Sequence, residues 1–263
     1  MIGFGALMAS AGMEGGDLAL DLPDSWAQGR TAYGGLSAAL CVEAARRAQP
    51  DLPPLRSAQF AFVGPASGRL RARAALLRRG RSASIVSAEL DGEAGAAVRA
   101  LLTYGAARPS RISHARLAAP AAPPPDGCAP FIPPGMDRAA PRFMANFHMR
   151  LAAGARPLTG GAEPEAALWL RHREAEGAHG ETALVALADA PSPPAMIQFP
   201  EPGPISTMTW TIDLVGAADP GAWALARSSS EFARDGYSAQ AMTMWDEAGA
   251  LLAVGRQTVA LFV

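Results

Sequence analysis

A segment of this chain occurs twice. GRSASIVSAELDGEAGAAVRALLTYG (80–105) lies over DGYSAQAMTMWDEAGALLAVGRQTVA (235–260) with a single two-residue gap, which sets Ser82-Ala83 on Ser238-Ala239 and Gly95 on Gly249. A helix precedes each copy. The first is predicted over Gly34–Ala48, Ala-rich and stopped by Pro50 and Pro53-Pro54; the second is Glu181–Ala190, stopped by the run Pro-Ser-Pro-Pro. Laid helix on helix, Leu36 meets Thr182 and Glu43 meets Asp189. Strand runs are expected at Leu55–Val63, Arg69–Arg79, Ser82–Leu90 and Ala96–Tyr104, and again at Pro204–Val215, Trp223–Phe232, Tyr237–Asp246 and Leu251–Phe262. Further strands are expected at Asp17–Leu22, Phe143–Leu151 and Ala166–Arg173. The repeat is thus a helix followed by an antiparallel meander.

The first helix decides how each copy packs. Gly34–Ala48 is mostly Ala, Ser and Gly, without an aromatic residue. A helix lying on a surface shows a polar face; a slim, nearly all-apolar one is better wrapped by a curved sheet. The expected fold is α+β, a double hotdog of two tandem repeats, each a long helix inside a curved antiparallel sheet. The boundaries read as 14–108 for the first repeat, 109–141 for a Pro-rich linker extended along the surface rather than packed, and 142–263 for the second.

Composition removes several function classes. Hydrophobic residues make up 49% and charged ones 18% of the 263, which suits a sizeable core and excludes a disordered chain. Net charge is −1, so no nucleic-acid partner is expected. All 23 cationic side chains are Arg, which excludes Schiff-base chemistry and a P-loop. Cys41 and Cys128 form no CxxC, and His114, His148, His172 and His179 form no HxxxH or HxH pair, so neither a metal nor a cofactor is expected. Residues 1–12 lack the basic start of a signal peptide, and no run reaches the ~18 apolar residues of a membrane span, which makes the cytoplasm the expected location.

SWAQGRTAYGGLSAAL and RSAQFAFVGPASGRLRARAALLRRGRSASIVSAEL in the first repeat, with LWLRHR, LADAPSPP, PISTMTWTIDL and ARDGYSAQAMTMWDEAGALLAVGRQTVA in the second, resemble the acyl-CoA thioesterase II (TesB-like) family. The resemblance spans nearly the whole chain apart from the linker and the first dozen residues. It implies an acyl-CoA substrate and attack of water on the thioester without a covalent intermediate; it points to a homodimer or larger homo-oligomer, while the fused pair of repeats leaves a monomer open. It places the water-holding carboxylate on Asp189, the amide on Gln257 and the hydroxyl on Thr207, with Thr209 the one-register alternative. The family's glycine pair falls on Gly34-Gly35, and a His of some members is replaced here by Gln59.

The residues themselves support parts of this assignment. Asp189 is the only acid after Glu181 in an apolar helix, and it ends that helix, where the dipole disfavours an anion by ~0.3–1 kcal/mol. Apolar surroundings raise a carboxyl pKa, as a general base near neutrality requires. Strict alternation sets Thr207, Thr209, Thr211 and Asp213 on one face of their strand and does not choose between the first two. Gln257 shares a face with Ala253, Gly255, Val259 and Leu261, so it is expected to be buried and in need of partners. Thr103 is its counterpart in the overlay. Amides of Gly34 and Gly35 at a helix N-terminus suit an oxyanion. Arg78, Arg79 and Arg81 form the densest basic cluster, a candidate for coenzyme A phosphates. Two other readings stand beside hydrolysis. An enoyl-CoA hydratase-like enzyme on the same fold would pair its acid with a His, and the nearest upstream of Asp189 is His179. A non-catalytic acyl-CoA-binding protein would bind without turnover.

Overall fold

The computed structural model describes residues 1–263 except 162, 217, 218 and 220. The first half contains helix α1 (Phe4–Ser10), strands β1 (Gly12–Glu14) and β2 (Asp17–Asp21), a small hairpin of β3 (Ala27–Gln28) and β4 (Thr31–Ala32), and helix α2 (Gly34–Ala48). The meander β5 (Leu55–Phe62), β6 (Arg69–Arg79), β7 (Ala83–Gly92) and β8 (Gly95–Gly105) completes it. Strand β9 (Ala129–Pro130) lies within the Pro-rich segment. The second half then runs β10 (Phe147–Gly154), β11 (Glu165–His172), helix α3 (Gly180–Ala188) and the meander β12 (Ile205–Leu214), β13 (Ala224–Arg234), β14 (Tyr237–Asp246) and β15 (Leu251–Leu261). No helix among the described residues is long and apolar enough to cross a membrane.

All strands but β3 and β4 join one sheet in the order β1-β2-β6-β7-β8-β5-β12-β15-β14-β13-β11-β10-β9. The halves meet where β5 pairs antiparallel with β12, Gln59 opposite Thr211. The duplication extends to the irregularities. Bulges interrupt β5–β8 between Leu55 and Ser57, β6–β7 between Leu76 and Arg78, and β7–β8 between Leu90 and Asp91. Their counterparts interrupt β12–β15 between Thr207 and Thr209, β13–β14 between Ser230 and Phe232, and β14–β15 between Met244 and Trp245. A bulge bends its strand and strengthens the twist, so repeated bulges curve both halves alike.

Each half wraps its helix. Every residue of α2 from Gly35 to Ala45 is buried, as are Thr182 to Ala188 of α3, and the two helices pack against each other. Small side chains permit this: α2 fits beneath Leu70, Val86, Leu90 and Leu102, where a bulkier helix would not.

Two features go beyond the sequence reading. The Pro-rich segment is irregular and exposed over residues 109–118, and it is also anchored to the second half. The indole N–H of Trp169 donates to Pro123 O and that of Trp245 to Leu117 O, each at 2.8 Å. Ala119 and Ala122 lie against the cluster of Cys128, Trp169, Leu225 and Trp245. The linker thus covers an apolar patch on the second half that the strand pattern left without a partner. Helix α1 was not legible either. A helix this short is unstable alone; it exists because Phe4 packs on Trp26 and His172, with ring centroids 5.7 and 4.8 Å apart.

Candidate active site

Asp189 is the residue on which α3 ends, in a right-handed conformation with φ −86° and ψ −1°. Its carboxylate does not dangle from the unfavourable end of its own helix. It reaches the N-terminus of α2, where the Gly35 N–H donates to it. Gln257 on β15 donates from Nε2 to Asp189 Oδ1 at 2.6 Å. Burial dominates and raises the Asp189 pKa from 3.8 to about 7, while the bonds from Gln257 and Gly35 pull it back.

The close approach of the halves explains both glycines. A Cβ on Gly34 would stand 2.7 Å from Asp189 Oδ2, and one on Gly35 would stand 2.5 Å from the Tyr33 hydroxyl and 2.7 Å from Ala186 O. Tyr33 is held there by a 2.8 Å bond from its hydroxyl to Ala186 O and by stacking on Phe143 at 4.0 Å. Of the two glycines expected to face an oxyanion, Gly34 lines the cleft described below, while the Gly35 N–H is directed at Asp189.

A cleft of about 440 Å³ opens beside Asp189, lined among others by Gly34, Ser37, Phe62, Val98, Ser206 and Thr207. No histidine is among its described lining residues. A larger groove of about 910 Å³ between α1 and Arg173–Ala178 contains none of the residues discussed so far as site candidates.

The structure separates the two threonines. Thr207 pairs with Val259 and Thr209 with the neighbouring Thr258, so Met208 is the extra residue of a bulge. The alternation that set Thr207 and Thr209 on one face is broken there. Thr207 lines the cleft, whereas Thr209 is exposed and level with Ala61 on β5. Trp210, opposite Gln257, is fully buried.

Other expectations resolve as follows. Gln59 is exposed between Thr211 and Leu101, on the face away from the core. The overlay that matched Gln257 with Thr103 is one residue out, because the β14–β15 turn is longer by Ala250. By register the counterpart of Gln257 is Leu102, which pairs with Ala58 as Gln257 pairs with Trp210. Glu43, the counterpart of Asp189, accepts from Arg47 at 2.9 Å. Arg79 is paired with Asp51 and donates to Gln49 at 2.8 Å. His172 is buried with its pKa lowered to about 4 by burial, and its Nε2 meets Ala183 O at 2.8 Å.

Sequence reading missed Ser37 and Gln240. Ser37 lies one helical turn beyond Gly34, a spacing that puts it over the same spot. Gln240, on β14 opposite Gln257, donates from Nε2 to Gln257 Oε1 at 2.6 Å. A lone amide at an inward position, two residues from buried Ser238 and Met242, was the available signal.

Comparison with known proteins agrees with this fold. Residues 22–105 match the family model described as the acyl-CoA thioesterase N-terminal domain, and residues 120–261 match that of the C-terminal domain. Among solved structures, a hot dog-fold protein from Alicyclobacillus acidocaldarius superposes with a TM-score of 0.85 at 22% identity, covering 98% of this chain and 97% of that one. The tesB protein of Mycobacterium avium subs. paratuberculosis gives 0.78 at 15% identity, covering 98% of each chain. The acyl-CoA thioesterase II TesB2 of Mycobacterium marinum gives 0.74 at 19% identity, covering 95% of this chain and 94% of that one. A search of curated proteins found no match. With its two halves matched in order by the family's two domains, and with the double hotdog fold in place, this chain belongs to the TesB-like acyl-CoA thioesterase family.

Proposed function

We propose that the chain hydrolyses acyl-CoA thioesters, with Asp189 as general base and Gln257 and Thr207 completing the water site. The observation that carries this reading is Asp189 itself: a carboxylate beside a cleft, with its pKa raised to about 7 and held by Gln257 and the Gly35 amide. A base of that strength is half ionised near neutrality, where it both accepts and returns a proton readily.

In this reading a water lies between the Asp189 carboxylate and the Thr207 hydroxyl. Its oxygen attacks the thioester carbonyl carbon as Asp189 takes its proton. The charge that develops on the carbonyl oxygen faces the N-terminus of α2 at Gly34, where free amides and the helix dipole favour an anion. Collapse breaks the carbon–sulfur bond, and the departing thiolate takes the proton from Asp189, leaving free acid and coenzyme A. The cleft belongs to both halves, because Phe62–Ala66 and Val98 come from the first and Asp189 and Ile205–Thr207 from the second.

The test is to offer the protein acyl-CoAs from short to long, with free thiol as readout, alongside D189N. We expect turnover by the wild type and a loss of at least ~100-fold in D189N with the fold intact. Full activity in D189N contradicts the mechanism; tight binding without turnover by the wild type favours an acyl-CoA-binding protein.

A further inference from the structure

Gln257 is an amide, with a donor end and an acceptor end. Only one orientation serves Asp189. Its Nε2 donates to Asp189 Oδ1 while its Oε1 accepts from Gln240 Nε2, both at 2.6 Å. Gln240 is buried, and its own Oε1 is buried without a partner among the described residues. An apolar side chain at that position would avoid this burden.

The duplication supplies an internal comparison. Leu102 and Val86 pair across β8–β7 in the first half as Gln257 and Gln240 pair across β15–β14 in the second. Both are buried. The fold therefore closes around an apolar pair where no site is needed, and there Glu43 is answered by Arg47 instead of an amide. The two glutamines occur together only in the half that carries Asp189.

We propose that Gln240 is a positioning residue: by donating to Gln257 Oε1 it locks that amide in the orientation that donates to Asp189. This rests on the thioesterase reading above. Without Gln240, the Gln257 amide is free to turn and present its oxygen to Asp189. That arrangement suits only a protonated carboxyl, so the base would hold its proton more tightly. The remaining contacts on Asp189 come from α2, through Gly34 and the Gly35 N–H. Tyr33, the titratable group that feels its charge, is committed to Ala186 O.

The experiment compares Q240M, Q257M and the double variant, with Q240L in reserve should Q240M fail to fold. Thioester hydrolysis gives kcat and KM, and carbon-13 carboxyl NMR titrates Asp189 directly. For Q240M we expect kcat to fall about tenfold with KM within about twofold, and the Asp189 titration and the acid limb of the rate profile to move to higher pH. The double variant should match Q257M alone, since one residue acts through the other. Losses that multiply in the double variant, or a Q240M enzyme with the wild-type kcat and Asp189 titration, overturn the proposal. A wild type inactive on every acyl-CoA refutes the thioesterase reading instead, and the Asp189 titration then decides the role of Gln240 by itself.

Discussion

The surroundings of Asp189 disagree about its charge. Burial favours the neutral acid, whereas the bonds from Gln257 and Gly35 favour the anion, and the balance lies at about 7. The consequence for pH follows from linkage. The folded state holds the proton up to about 7, whereas the unfolded chain releases it near 3.8, so proton binding favours the folded state most below 3.8, and this contribution is lost as pH rises through 7. The melting temperature of D189N relative to wild type should therefore become more positive between pH 4 and pH 8, measured by calorimetry at matched ionic strength. Over the same range kcat/KM of the wild type should climb about tenfold per pH unit on the acid side and level off above about 7. A flat profile through this range contradicts a role for Asp189 as base.

At the scale of elements, two features aim these side chains. The first is a helix end meeting a helix start: α3 delivers Asp189 to the first turn of α2, and a Cβ on Gly34 would meet its carboxylate oxygen at 2.7 Å. The second is the bulge at Met208. Without it, strict alternation would turn either Thr207 or Trp210 outward, because three positions separate them. With it, Thr207 lines the cleft while Trp210 fills the core and donates to Met242 Sδ at 3.2 Å. T207A should lower kcat by about 10–100-fold, whereas T209A should stay within about twofold of wild type. Equal losses in the two variants would mean that the bulge does not decide which hydroxyl reaches the water.

At the scale of the molecule, duplication produced two equivalent places and the chain kept one for a cleft with Asp189. In the other, Glu43 bonds Arg47, Arg46 pairs with Glu181, and Leu102 stands where Gln257 does. Arg47 is partly exposed, so removing its partner leaves a charge that water can reach, and E43Q should cost about 1–3 kcal/mol of stability. Its kcat/KM should remain within about twofold of wild type. The opposite pattern is expected of D189N, with catalysis lost and the fold kept. A large loss of kcat/KM in a folded E43Q would show that the first half also takes part in hydrolysis.

The sequence by itself determined the duplicated helix-and-meander plan, because alternation, the Ala-rich helix and the Pro and Gly stops are local signals that survive without any partner. It also marked Asp189 and Gln257, each a polar group in an apolar stretch that physical chemistry forbids without a reason. Only tertiary structure decided the rest. Which of Thr207 and Thr209 lines the cleft depends on a bulge that no alternating pattern announces. The counterpart of Gln257 depends on one extra residue in a turn. The diversion of the Gly35 amide to Asp189 needs the two helices side by side. The docked linker needs two indoles that present their N–H groups to its carbonyls. The helix contact joins the two halves, the bulge and the linker join segments far apart in the chain, and even the local turn shows its extra residue only once β14 and β15 are paired.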